Sequence, residues 1–380
     1  MSTKHLIDAI ELASMLTYID ENPEYWKEYT NLQRVKHELL KRYLGGWYPI
    51  LSSRSTRIVY IDCHAGRGKY ETGQIGSPLV ALETLLNHTA RQQILKKCEI
   101  RFFFIEADRQ NKEILEENLT KYNRPSQVFI TVECADFQKA LQELVDSLNE
   151  CGATLAPAFV FVDPYGFKLP GRLLAQLKAF PRCELFITFM WRWVDMAIRN
   201  PAHSDNMDAL FATPGWRDLP DIHDADQRCE AAIRLLGKQI GGQYLTRVKM
   251  LGEHEEIKYV LIHTTGHPKG RELMLDAIWK ICPTGGFKVR VNNNPGQEYL
   301  FKPEPDLAPL QDWLRNNFRH KTLAVSEIYS AMQDPASGAP YLKTHLRKAL
   351  KELLEKEEIT GPKEFVFTHN PTISFVSKKK

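Results

Sequence analysis

The chain has 380 residues, 43% hydrophobic and 26% charged, with 50 basic side chains against 47 acidic ones. These values suit a soluble globular protein of two domains, or of one large domain with an appendage. They exclude disorder as the main state, a collagen, a coiled-coil rod and a disulfide-stapled mini-protein. No apolar run approaches the ~18 residues that span a bilayer. Met1-Ser2-Thr3-Lys4-His5 leads into no apolar signal core, so the expected setting is cytoplasmic, without membrane contact. The cysteines Cys63, Cys98, Cys134, Cys151, Cys183, Cys229 and Cys282 are scattered, with no CxxC pair. They read as reduced thiols, not as a disulfide framework or a closed zinc site. The charge excess is uneven. Residues 301–380 hold 13 basic and 10 acidic side chains, so the first 300 residues are neutral.

In chain order, residues 32–44 predict a helix, with Val35, Leu39, Leu40, Tyr43 and Leu44 as its apolar stripe. Gly45-Gly46 is expected to weaken or end it. Strands and helices then alternate. The strands are 58–61, ending in Asp62, then 101–105, ending at Glu106, then 128–132, 159–162 and 185–189. The helices begin at Ser77-Pro78, with Ser as N-cap, and cover 109–121, 137–148 and 171–179. This order predicts an α/β fold with a parallel, doubly wound sheet. Residues 191–241 break the rhythm and read as a helical insertion. Residues 246–250 and 259–264 predict a late hairpin with one antiparallel strand at the sheet edge. A helix over 271–281 follows.

The last 80 residues change character. Helices are predicted over 307–317, 327–332 and 341–356, with Ser326 as a cap and a short extended piece at 322–325. Strands at 365–368 and 373–376 flank the turn His369-Asn370-Pro371. Three helices followed by a β-hairpin is the order of a winged helix, assigned to residues 301–380. Lys343, Arg347, Lys348 and Lys351 lie opposite the leucines of its last helix. That face could enter a groove or track phosphates, or it could be an ordinary solvated face.

The chemistry centres on Asp62-Cys63-His64-Ala65-Gly66-Arg67-Gly68, directly after the first strand. Gly66 and Gly68 allow positive φ and close backbone approach. A dinucleotide fingerprint would carry glycine where Glu71 stands, which counts against an NAD-linked enzyme. An acid ahead of the loop would also crowd a pyrophosphate. An acid followed by Ala-Gly-x-Gly fits S-adenosylmethionine, with Asp62, Ala65, Gly66 and Gly68 lining it. A tight turn with no ligand is the alternative. Glu106 at the second strand end could accept both ribose hydroxyls, and Asp136 after the third could reach the adenine amino group. Either acid could instead be a helix cap or a loop charge.

After the fourth strand comes Asp163-Pro164-Tyr165-Gly166, which resembles the D-P-P-Y motif of amino-methyltransferases, with one proline missing and the tyrosine one place forward. In that motif the carboxylate and a carbonyl orient the acceptor amino group and the ring stacks on its base. Asp163, Pro164 and Tyr165 are therefore the candidate catalytic residues. A plain strand-to-turn bend is the alternative. Trp191 and Trp193 could line a pocket or pack in the core. His263 and His267 have no third ligand beside them, so no metal is expected.

Residues 60–68, 76–79, 161–166 and 259–279 together resemble the three-Cys-motif partner family (TcmP). Lys36, Leu40, Tyr43, Leu44 and Trp47 fit as well, as do Leu210, Phe211 and Trp216. The likeness covers most of residues 26–290. Many relatives carry Phe where this chain has His64. The resemblance implies a Rossmann-like methyltransferase fold with seven strands, filling residues 1–300, in a bacterial or phage-related setting. It also implies a partner with a C-x-x-x-C-x-x-C motif like that of radical iron–sulfur enzymes. The expected activity is methyl transfer from S-adenosylmethionine to a nucleic-acid amino group. The alternative is an inactive binding module that serves the cysteine-motif partner in nucleic-acid recognition.

Overall fold

In the computed structural model, residues 23–290, 304–334, 339–362 and 369–375 are described. The first long helix, α1 (Asn31–Ser52), starts at a capping box. The Thr30 hydroxyl accepts from Gln33 N–H while the Gln33 amide oxygen takes the Thr30 N–H. The glycine pair does not end it. The helix runs on past Gly45-Gly46 because Trp47 and Tyr48 are buried and Gly46 lies against Leu273, where a Cβ would clash. Pro49 brings no N–H for the Gly45 carbonyl, and His88 Nε2 bonds that oxygen at 2.8 Å instead.

The central sheet has eight strands in the order β3-β2-β1-β4-β5-β7-β6-β8. They are β1 (Arg57–Asp62), β2 (Glu99–Glu106), β3 (Val128–Cys134), β4 (Ala158–Val162), β5 (Cys183–Phe189), β6 (Tyr244–Leu251), β7 (Ile257–Thr265) and β8 (Lys288–Arg290). Strands β1 to β5 are mutually parallel. β4 and β5 are buried throughout, as strands covered on both faces must be. The expected edge hairpin takes a different place. Its second strand, β7, is inserted between β5 and β6, antiparallel to both. The edge on that side belongs to β8, a strand the sequence reading lacks.

The connecting helices are α2 (Ser77–Leu86), α3 (Arg91–Lys97), α4 (Arg109–Thr120), α5 (Phe137–Glu150) and α6 (Gly171–Ala179). The cap of α2 is Gly76, not Ser77, and Pro78 lies in its first turn. After β5 come α7 (Trp191–Ala197), α8 (Ser204–Phe211), a 3-10 turn (Pro214–Asp221) and α9 (Ala225–Ile240). This insertion packs into the core. Trp191, Met207, Leu210, Phe211, Trp216 and Ile233 belong to the same buried cluster as β4 and β5. Arg228, 2% exposed, ties the stretch together through Asp195 (2.6 and 3.1 Å) and the His223 carbonyl.

The chain divides into two compact units. One holds residues 1–273 and 287–295, the other residues 274–286 and 296–380. Helix α10 (Pro268–Ile281) thus contributes its later residues to the second unit. That unit also holds α11 (Ala308–Phe318), β9 (Thr322–Ala324), α12 (Val325–Met332), α13 (Lys343–Glu355) and β10 (Thr372–Ser374), with β9 and β10 antiparallel. The cap of α12 is Ala324, whose N–H bonds the Glu327 carboxylate at 2.7 Å; Ser326 is inside the helix. Leu346, Leu350 and Leu353 of α13 are buried, and His345 packs on Trp279 at 4.3 Å. The strand expected at 365–368 lies outside the described residues. No described helix is long and apolar enough to cross a membrane.

Candidate functional site

Strand register brings the candidate acids to one edge of the sheet. Asp62 pairs with Phe104 on β2 and with Phe161 on β4. Glu106 and Asp163 each stand two residues beyond those partners. Glu106 pairs with Cys134, and Asp136 stands two residues beyond that. All four therefore cluster at the carboxyl ends of neighbouring parallel strands, where open α/β sheets bind ligands.

The loop after β1 is held from several sides. Cys63 N–H bonds the Phe161 carbonyl and Ala65 N–H the Ile105 carbonyl, both at 2.9 Å. Gly66 and Gly68 have φ of +60° and +74°, the left-handed region open to glycine. A Cβ on Gly66 would lie 2.4 Å from the Trp26 ring, and one on Gly68 2.6 Å from Leu115. Ala65 is buried. Asp62 is fully buried and accepts from the Tyr60 hydroxyl and the His64 N–H, both at 3.2 Å. Burial pushes its carboxyl up to about 7, and the neighbouring Asp163 adds to the rise.

Glu106 braces the loop directly. One carboxylate oxygen accepts the Gly66 N–H at 2.6 Å, the other the Asp108 N–H at 2.9 Å. Burial raises its pKa against those bonds. The Asn111 side chain gives the carboxylate a third hydrogen bond, and an ionised carboxylate, with about four acceptor sites, has one left for a ligand hydroxyl. Asp136 is exposed and caps α5, accepting from Gln138 and Lys139 N–H at 3.0 and 3.1 Å through Oδ1. Cys63 is buried, and burial pushes its thiol well up, which disfavours the thiolate.

At the end of β4, Asp163 forms a buried ion pair with Lys36 of α1. Burial would raise the Asp163 carboxyl, but Lys36 outweighs it and holds the group below its usual range. Burial would likewise lower Lys36, and Asp163 holds it above its own. Pro164 is buried. Tyr165 is 45% exposed and meets Trp193 edge-on at 5.2 Å. Gly166 has φ +116° and backs onto the same indole. Trp191 and Trp193 are themselves buried in the core.

Two contributors lay outside the sequence reading of the site. Lys36 is 127 residues from its partner, yet it sits beside Val35, Leu39, Leu40 and Tyr43 in the buried stripe of α1. A cation in an apolar stripe is the signal that would have found it. The other is an aromatic group of Tyr25, Trp26, Tyr29 and Tyr70 beside the glycine loop, with ring centroids 4.9 to 6.0 Å apart. The Trp26 carbonyl accepts Glu71 N–H at 2.8 Å, and the Arg67 guanidinium lies 5.9 Å from the Trp26 ring centre. Among the described residues, no group of three or more His, Cys, Asp or Glu is placed to hold a metal.

In the second unit, Lys343, Arg347, Lys348 and Lys351 are all exposed on α13. Lys343 lies 5.6 Å from the Tyr329 ring centre. Lys348 meets Glu304, and Lys351 meets Glu355, each at 3.8 Å.

Strands β1 to β7 in this order, β7 alone antiparallel, with a glycine loop after β1, make the first unit a Rossmann-like methyltransferase fold carrying one additional edge strand. No family model and no curated protein matches the chain. Solved structures do. A protein from Legionella pneumophila is similar at 14% identity, over 70% of this chain and 93% of its own, with a TM-score of 0.39. A putative O-methyltransferase from Klebsiella pneumoniae is similar at 15% identity, over 68% and 97%, with a TM-score of 0.31. The O-methyltransferase from Bacillus cereus in complex with SAH is similar at 13% identity, over 67% and 90%, with a TM-score of 0.32.

Proposed function

We propose that the first unit is an S-adenosylmethionine-dependent methyltransferase acting on a nucleic-acid amino group, as a member of the three-Cys-motif partner family. The observation that carries this reading is the convergence of Asp62, Glu106 and Asp163 on one glycine loop at the carboxyl ends of β1, β2 and β4. The residues fit the cofactor. Glu106 would accept a ribose hydroxyl, Asp136 the adenine amino group, and the backbone of Ala65, Gly66 and Gly68 would lie along the remainder. When bound, adenosylmethionine supplies an electrophilic methyl group.

Asp163, kept ionised by Lys36, would accept a hydrogen bond from the acceptor amino group and aim its lone pair. The Pro164 carbonyl would take a second. Tyr165, exposed beside that carboxylate, would stack on the base. Lys343, Arg347, Lys348 and Lys351 would hold the phosphate backbone, in a unit that reads as a winged helix. The cysteine-motif protein would be a further partner.

Titration calorimetry with S-adenosylmethionine, S-adenosylhomocysteine and NAD tests the cofactor. Micromolar binding of the first two, lost in Glu106→Ala, supports the site; binding of NAD alone refutes it. Tritium-methyl transfer to DNA and RNA, abolished by Asp163→Ala, tests the reaction. One observation favours the second reading, a binding module without activity: the acid of Asp163-Pro164-Tyr165-Gly166 is already engaged by Lys36. Cofactor binding without transfer to any nucleic acid, together with capture of the cysteine-motif protein, would decide for it.

A further inference from the structure

His64 stands inside the glycine loop, and nothing above uses its side chain. Its ring packs on Phe137 with centroids 4.4 Å apart. Its Nδ1 is buried and has no hydrogen-bond partner among the described residues. A buried polar nitrogen left this way costs free energy unless a ligand or water completes it. The charged groups facing it are Asp163 from the end of β4, Asp136 from the cap of α5 and Lys36 from α1. Asp62, two residues back, accepts its backbone N–H. Two carboxylates face the ring against one ammonium, a balance that favours a positively charged hydrogen-bond donor. Burial lowers the imidazole to about 4, so it is neutral at physiological pH. A neutral imidazole carries one proton, and Nε2 is not among the buried unpartnered atoms. With that proton assigned to Nε2, Nδ1 is left as an acceptor.

We propose that His64 Nδ1 accepts a hydrogen bond from the α-ammonium of the cofactor's amino-acid arm, making His64 a cofactor-binding residue that recognises this arm. The inference deepens the reading of the loop as an adenosylmethionine site and rests on it. It also gives a reason for histidine where Phe would pack equally well on Phe137.

The test is a calorimetric cycle on the full chain with two ligands, S-adenosylhomocysteine and its desamino analogue, which differ at the ammonium alone. The proteins are wild type, His64→Phe, which keeps the ring and loses the nitrogen, and His64→Asn, which returns an acceptor near the same place. His64→Phe is expected to weaken adenosylhomocysteine about tenfold or more, the scale of one hydrogen bond to a charged group. The desamino analogue should change less than about twofold, and His64→Asn should recover most of the loss. The ratio of the two affinities is internal to each protein, so a partly unfolded variant still reports. Equal weakening of both ligands, or no weakening of either, overturns the inference and leaves the cofactor reading intact. Wild-type protein that binds neither ligand overturns both.

Discussion

Removing Lys36 tests the core of the site without any substrate. Lys36 is 5% exposed, and its Asp163 partner has a side chain 16% exposed. Lys36→Met keeps the length of the stem and leaves the carboxylate unpaired in a buried position. Breaking such a pair from one side costs about 3–5 kcal/mol, because the remaining charge stays desolvated. The pH dependence gives the signature. In the wild type, Lys36 depresses the Asp163 carboxyl. Its stabilising contribution is therefore present above the ordinary carboxylate value and is lost only as pH falls through the lower folded one. In Lys36→Met, burial is opposed only by the Thr188 hydroxyl and the His64 ring and is expected to raise that carboxyl. The sign reverses: stability holds at low pH and falls as pH rises through the raised value. Urea unfolding followed by tryptophan fluorescence should show the full loss at pH 8 and a smaller one at pH 5. Adding Asp163→Asn should recover most of it. A loss below about 1 kcal/mol at pH 8 would match a solvent-screened pair and refute this account. So would equal losses at the two pH values.

Other outcomes follow from the same geometry. Asp62 titrates near 7 against 3.8 unperturbed, so its burial favours the fold at low pH and costs on the order of 4 kcal/mol once pH has risen past the folded value. Asp62→Asn should flatten the decline of stability between pH 5 and 8, read by thermal melts across that window. Gly66→Ala places a methyl at positive φ and against Trp26, so a loss of about 1–2 kcal/mol and a changed Trp26 emission are expected in denaturation monitored by fluorescence. Leu350→Ala in the second unit should cost about 2–5 kcal/mol by differential scanning calorimetry. Lys343→Glu with Arg347→Glu should reduce the salt slope of nucleic-acid binding by about 2, at ~0.9 per phosphate contact, in fluorescence-anisotropy titrations.

The parallel half of the sheet was legible because its signals are local. Runs such as Ile58 to Ile61 and Phe159 to Val162 are apolar, short and followed by acids, and their strands exceed the predicted ends by two residues at most. What local signals could not convey is what tertiary contact decides. Gly45-Gly46 reads as a helix end, yet Leu273 and His88 supply partners from distant parts of the chain. The two late strands were visible, but nothing in them says that β7 inserts beside β5 and leaves the edge to β8. At the site, Asp62, Glu106 and Asp163 could be named from their places after strands. The pairing of Asp163 with Lys36 could not, since it joins residues 127 apart. Asp136 shows the reverse limit: its capping bonds satisfy the structural expectation completely, and its candidate role stays a matter for the cofactor.

The position of β7 has a consequence for synthesis. Strands β1 to β5 are complete by residue 189, whereas β7 begins at residue 257. Until then the outer edge of β5, Cys-Glu-Leu-Phe-Ile-Thr-Phe, offers unpaired backbone on a nearly continuous apolar strand, the kind of edge that recruits neighbouring chains. Glu184 is the one charge on it. In the finished fold its carboxylate is buried, bonded to the Tyr43 hydroxyl and, at 3.0 Å, to Thr265 of β7 itself. The one charge of β5 is thus the polar latch that joins this strand to β7, the strand that covers its edge.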